Sequence, residues 1–417
     1  MKFVKIVPEN TVKNPKCKGK TSIDLWSYLC LLRISATRPI SQRNELIDDT
    51  TSRTVFFVKW FSPITFFSAA VSVFSLYLLT VMLLNGVLEV YWPQKLFEYN
   101  DQILRPSHHS ASSYEVIKFY KISNFMLPTS RLIVILHQMI NLKGIVKQLN
   151  AISGLADDLQ IHCASRCGNF SSKIRRNSIR TIALLVGIPA VTVFPVIVFL
   201  FSNDLILAPV ILREVIIVLV PLQLVVIYFE DADFIIQCDI VSEFFRQIEM
   251  VLVETEDYLK GKHCNLHLTE VRKWHQFLLR NRRIVGQIGT ITKVPQLLSL
   301  VEVTSHLTMF LYTVLNVLAS PGTSLLENYF LRMSFSYVVV ILVRLQAKTL
   351  KAEQVTAAEV RVHDALFALN EFPQALEVQL ELQGMRNTIT ATPSHIAFGN
   401  YCTLSYIKAS LSRYSPK

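Results

Sequence analysis

Glu377-Val378-Gln379-Leu380, Thr388-Ile389-Thr390-Ala391-Thr392-Pro393 and Ala397-Phe398-Gly399-Asn400-Tyr401-Cys402-Thr403-Leu404 follow one another near the end of the chain, and the fold is decided there. Just upstream stand His363-Asp364-Ala365-Leu366 and Asn370-Glu371-Phe372-Pro373. Apolar residues at helical spacing predict an amphipathic helix over Val355–Leu369, ended before Pro373, whose ring cannot continue a helix. A second helix is expected over Ala375–Arg386. Pro393 then marks the entry to an apolar helix that begins near Ile396 and is interrupted by Lys408 and Arg413.

Working outward, the 417 residues are 51% hydrophobic and only 18% charged, with a mean hydropathy of +0.37. A soluble domain carries about 25% charged residues and lacks long apolar runs, whereas several windows here exceed the ~18 residues that mark a spanning helix. The reading is an all-α polytopic membrane protein. Spans are expected at Phe61–Leu84, Ile122–Asn141, Ile179–Phe201, Leu205–Phe229, Val294–Ser320 and Tyr329–Val343, with the helix from Ile396 a shortened seventh. Pro128, Arg131 and His137 turn the second span toward other helices rather than lipid. Pro189 or Pro195 is expected to kink the third. Leu142–Ser178 reads as a polar, basic loop.

Three regions follow: a basic N-terminal arm over 1–59, a six-helix bundle over 60–347, and a cytoplasmic segment over 348–417 that leads into the seventh helix. Within the bundle, the hydrophilic stretch 230–293 carries Phe234, Ile235, Cys238, Val241, Phe245, Ile248 and Leu252, then Trp274, Phe277, Leu278 and Ile284, at helical spacing. It is expected to form two long helices that extend membrane helices into water and pack together.

Loop charges give the orientation. The arm has 11 Lys/Arg, the loops after spans two and four have 6 and 9, and the segment after span six has 5; the opposite loops have 4, 0 and 0. Positive charge marks the cytoplasmic side, so the N-terminus lies inside, the reverse of a G-protein-coupled receptor. The same rule, with anionic lipid at the inner leaflet, accounts for the net charge of +11 without nucleic acid. Asn169-Phe170-Ser171, the one glycosylation sequon, falls on the cytoplasmic side and is expected to stay unmodified. Seven cysteines, an odd number without framework spacing, predict reduced thiols.

Candidate chemistry is sparse. Glu302 and His306 share one face of span five, as a ligand or proton site or as a polar clasp between helices. Arg213 and Glu214, with Tyr312, Asn316, Arg332 and Tyr337, stand toward the outer side and could line a pocket; interfacial snorkelling is the other reading of Arg332. His263-Cys264-Asn265-Leu266-His267 has no second ligand pair, so no metal is expected. No phosphate loop, dinucleotide glycine pattern or nucleophile elbow is present, so neither enzyme activity nor a cofactor is expected.

The C-terminal pattern resembles the arthropod gustatory receptor family, whose superfamily includes the odorant receptors and shares the inverted seven-helix plan. The resemblance rests on Glu377-Val378-Gln379-Leu380, Ala397-Phe398-Gly399, Tyr401 and Thr403-Leu404, with Leu278-Leu279-Arg280-Asn281 similar to the family's cytoplasmic linker. It implies a tetrameric, tastant-gated cation channel of the plasma membrane, with the ligand held among the first six helices. Cytoplasmic extensions would hold the tetramer together, and the seventh helix would line the pore with Phe398, Tyr401, Thr403 and Leu404. The chain departs from the family after Lys408. Ile396 to Leu411 gives about 24 Å of helix against a ~30 Å core, so a subunit that does not conduct alone is a further expectation. The alternative from a different class is a secondary transporter using Glu302, His306 and Arg131 for ion coupling, although no repeated halves are visible.

Overall fold

The computed structural model describes residues 39–48, 51–91, 129–162, 170–187, 210–261, 266–319, 329–391, 394 and 396. It opens with an antiparallel hairpin, β1 (Ile40–Asp48) and β2 (Thr51–Val58). Helices follow: α1 (Pro63–Tyr91), α2 (Thr129–Ile140), α3 (Leu142–His162), α4 (Phe170–Ile182) continued by a π-helical turn at Ala183–Gly187, α5 (Val210–Gly261), α6 (Leu268–Ala319), α7 (Tyr329–Asn370) and α8 (Leu376–Ala391).

Two helices set the scale. α5 and α6 each run 52 residues, about 78 Å at 1.5 Å per residue, more than twice a bilayer's hydrocarbon thickness. Their two halves meet different surroundings. In the first half of α6, Val271, Trp274, Leu278, Ile284, Val285 and Ile288 are buried, and Leu278 and Ile288 are 0% exposed. In its second half Leu311, Leu315 and Leu318 are 53%, 65% and 62% exposed. α7 repeats this in the opposite direction, with Phe335, Val339, Leu342 and Val343 exposed and Val355, Ala358, Val362, Leu366 and Leu369 buried. Among the described residues, Leu268–Leu315 is the one helix long and apolar enough to cross a membrane, and α2 with α3 passes the same test as a bent pair.

The core is built where the long helices leave their apolar halves. Phe234, Phe244 and Phe245 of α5 are fully buried in a core cluster to which α3, α6, α7 and α8 also contribute. Every apolar residue that the sequence places on the inner faces of 230–293 is buried there. Pro373 falls in the gap between α7 and α8, where Gln374 Oε1 accepts the main-chain N–H of Leu266 at 2.8 Å.

Several expectations need correction. The fold is mostly helical but not purely so. Residues 40–58 form a hairpin because Thr51–Val58 is rich in β-branched and aromatic residues and because α3 completes its edge. Asn150 accepts the Phe56 N–H at 2.8 Å and donates to the Phe56 carbonyl at 3.1 Å, doing the work of one residue of a neighbouring strand.

Leu142–Ser178 is not a polar loop. α3 carries Leu142, Ile145, Leu149, Ile152, Leu155 and Leu159 on one buried stripe, and α4 begins nine residues before the expected third span. The described part of the second span is α2 alone, which bends by 67° into α3 at Asn141, whose side chain donates to the His137 carbonyl. The helix of the expected sixth span does not end near Val343 but runs unbroken as α7 to Asn370. Pro189, Pro195 and the residues beyond Ile396 lie outside the described residues.

Candidate functional site

Where the apolar halves of α5, α6 and α7 meet the packed core, ionisable side chains converge. α5 arrives with Glu230 and Asp231 directly after its apolar run. α7 brings Arg344 and Lys348, four residues apart and therefore on one face; α6 brings Gln296, Ser299 and Glu302. Arg344 Nε donates to Asp231 Oδ2 at 2.6 Å, and Lys348 Nζ lies 2.9 Å from Asp231 Oδ1. Lys348 also donates to Gln296 Oε1 at 3.0 Å and Ser299 Oγ at 2.8 Å. Arg344 Nη1 stands 3.8 Å from Glu302 Oε1, and its guanidinium lies 4.5 Å over the Tyr228 ring.

A neighbouring pair closes the side toward α2. Arg131 Nη1 is 3.8 Å from Glu230 Oε1, and Gln138 donates to Glu230 Oε2 at 2.7 Å. Asp231, Arg344, Lys348 and Arg131 are all buried. Burial pushes the Asp231 carboxyl up, but Arg344 and Lys348 beside it outweigh this and hold it below the usual carboxylate range. The three acidic groups Glu230, Asp231 and Glu302 thus answer the three basic groups Arg131, Arg344 and Lys348. Further into the core the polar line continues. Gln148 donates to Gln237 at 3.0 Å, Gln237 to Asp233 at 2.9 Å, and Lys351 reaches Asp239 at 2.7 Å.

Such a junction is poorly suited to bond-making and well suited to holding three helices in register. A buried charge that loses its partner costs several kcal/mol, so axial sliding of α7 against α5 requires a discrete re-pairing. Elements of that kind can be switched between two positions.

Two residues singled out in the sequence, Arg131 and Glu302, belong to this junction. Glu302 faces Arg344 of another helix, and His306 places Nδ1 2.8 Å from the Glu302 main-chain oxygen. Tyr312 is half exposed on α6. The side chains of Arg213, Glu214, Asn316, Arg332 and Tyr337, and all of Phe398, Tyr401, Thr403 and Leu404, lie outside what the structure describes. Asp231, Arg344 and Lys348 escape notice in the sequence because each sits just beyond an apolar run, where a charge reads as the end of a span. Their signal is complementarity: an acidic Glu230-Asp231-Ala232-Asp233 cluster at one span edge and a basic Arg344/Lys348 pair at another.

No protein-family profile and no curated protein matches the chain. Among solved structures it is similar to the insect olfactory receptor OR5 from Machilis hrabei, at 13% identity and a TM-score of 0.56 over 91% of this chain and 93% of that one. The same receptor in complex with eugenol aligns at 14% identity and a TM-score of 0.49, over 92% and 93%. The first of these likenesses shows the fold: the chain is built on the plan of an insect olfactory receptor.

Proposed function

We propose that the chain is a chemosensory receptor of the inverted seven-helix kind, a subunit of a ligand-gated cation channel in the plasma membrane. One observation carries the reading most. Helices far longer than a bilayer is thick expose apolar side chains at one end and bury them in a shared core at the other, within a fold shared with an olfactory receptor. Left in water, Leu307, Leu311, Leu315 and Leu318 would forgo on the order of 3–6 kcal/mol, taking about 1.5–3 for full burial of each and halving it for partial exposure. Lipid removes that cost. The core formed by α3, α5, α6, α7 and α8 is then the cytoplasmic part.

Within this reading the C-terminal resemblance favours the gustatory branch and a tastant as ligand. The ligand would be held among Arg213, Glu214, Tyr312, Asn316, Arg332 and Tyr337, and Phe398, Tyr401, Thr403 and Leu404 would line a central pore in a homo- or hetero-tetramer. The transporter alternative rests on Glu302, His306 and Arg131 as ion-coupling residues; of these, Arg131 and Glu302 engage Glu230 and Arg344. The test is co-expression with receptor subunits of the same superfamily and recording of whole-cell current during application of a broad panel of sugars and bitter compounds. A ligand-evoked cation current that requires this chain is the expected result. Substrate accumulation without current, lost in Glu302→Gln, would replace the channel with a transporter.

A further inference from the structure

Between α8 and the expected seventh helix the chain passes through one closely held residue. The Ser394 N–H donates to Glu359 Oε2 at 2.6 Å, and its hydroxyl donates to Glu359 Oε1 at 2.8 Å. The Ser394 carbonyl accepts from Thr356 Oγ1 at 2.9 Å. Arg282 Nε lies 2.9 Å from Glu359 Oε1 and donates to Ser394 Oγ at 3.3 Å, while its Nη1 donates to the Thr388 carbonyl at 2.6 Å. The main-chain N–H and C=O and the hydroxyl of a single residue are therefore all engaged by side chains of α6 and α7. Glu359 is 1% exposed, and Ile396, two residues on, is buried in the same core. Ser394 is itself buried, so its polar groups are satisfied by these side chains rather than by solvent.

We infer that Glu359 and Arg282 form a clasp that fixes the entry to the expected seventh helix to α6 and α7. The inference rests on the channel reading for its consequence, not for its geometry. Phe398, the first of the expected pore residues, is only four positions beyond Ser394. The clasp is thus the point at which displacement of α6 or α7 is delivered to the pore segment. Glu359 and Arg282 are positioning residues, acting through Ser394 on residues they do not touch.

The experiment is hydrogen exchange by mass spectrometry on the full-length protein in lipid nanodiscs, comparing the native chain with Glu359→Gln, Ser394→Ala and Ser394→Thr. Glu359→Gln replaces one acceptor oxygen by a donor. Peptides covering 388–396 are expected to exchange roughly tenfold faster or more, the scale of a lost charge-assisted hydrogen bond, with α3 peptides unchanged. Ser394→Ala should give a smaller acceleration in the same peptides, and Ser394→Thr, which keeps the hydroxyl, should restore native exchange. Unaltered exchange at 388–396 in a folded Glu359→Gln protein overturns the clasp. So does acceleration spread equally over α3 and α5, which would mark general destabilisation. Currents recorded from the same variants separate the two claims. A clasp confirmed by exchange in a protein that never conducts leaves the clasp standing and removes the channel.

Discussion

Asp231 accepts two cations in a place that water does not reach, and this makes it the most exacting single residue of the junction. Removing one member of a buried ion pair typically costs about 3–5 kcal/mol, because the partner charge is left uncompensated. Asp231→Asn is therefore expected to lower the apparent Tm of the purified protein by several degrees. The double variant Asp231→Asn/Lys348→Met should recover part of the loss. Additive losses in the double variant would show that Asp231 and Lys348 do not act as a pair.

Glu243 makes a prediction of opposite experimental character. Burial pushes its carboxyl up, but hydrogen bonds from Arg246, Lys173 and Gln247 more than offset this and leave it below the ordinary value. A carboxylate whose folded-state pKa is depressed stabilises the fold above its unfolded pKa, about 4.3, and that contribution is lost as pH falls through the lower folded-state value. Acid titration followed by tryptophan fluorescence should thus show the Glu243→Gln variant less stable at pH 7 and the difference closing toward pH 3. A difference that persists unchanged at pH 3 would assign Glu243 a packing role only.

At the scale of elements, side chains of α3 hold the hairpin. Asn150 supplies both the acceptor and the donor that Phe56 would otherwise find on another strand, and Ser153 donates to the Thr54 carbonyl at 3.1 Å. Replacing Asn150 by Ala leaves a part-buried N–H and carbonyl without that partner, a loss of about 1–3 kcal/mol for each group left unsatisfied. Limited proteolysis should then cut within residues 49–60 under conditions that leave the native hairpin intact, while α5 to α8 stay resistant. Equal resistance of both proteins would mean that Asn150 does not hold the sheet.

The elements also show what could be read in advance. Helices with one apolar face at regular spacing were legible, and Phe234, Cys238, Val241, Phe245, Trp274 and Leu278 are buried as their spacing requires. The break at Pro373 was legible for the same local reason. α3 was not, because Lys143, Lys147, Asp157 and Asp158 lower the average hydropathy of a segment whose apolar stripe is nonetheless continuous. The hairpin was hidden because its edge is completed by a side chain 94 residues away, and the junction because Asp231 and Arg344 are 113 residues apart. Local pattern reveals which face is apolar; it does not reveal which distant charge answers a buried one.

At the scale of the whole molecule, on the proposed reading α5 and α6 carry the chain between an apolar surrounding and an aqueous one, with the shared helical core and the N-terminus in the cytosol. α5 ends at Gly261 and α6 begins at Leu268, with Leu259 and Leu266 buried in that core. The most direct measurement is antibody labelling of an epitope inserted after Gly261 in intact and permeabilised cells, with surface biotinylation confirming that the protein has reached the plasma membrane. Labelling only after permeabilisation is the predicted result. Labelling of intact cells would place the core outside, reverse the topology and contradict the receptor assignment built on it.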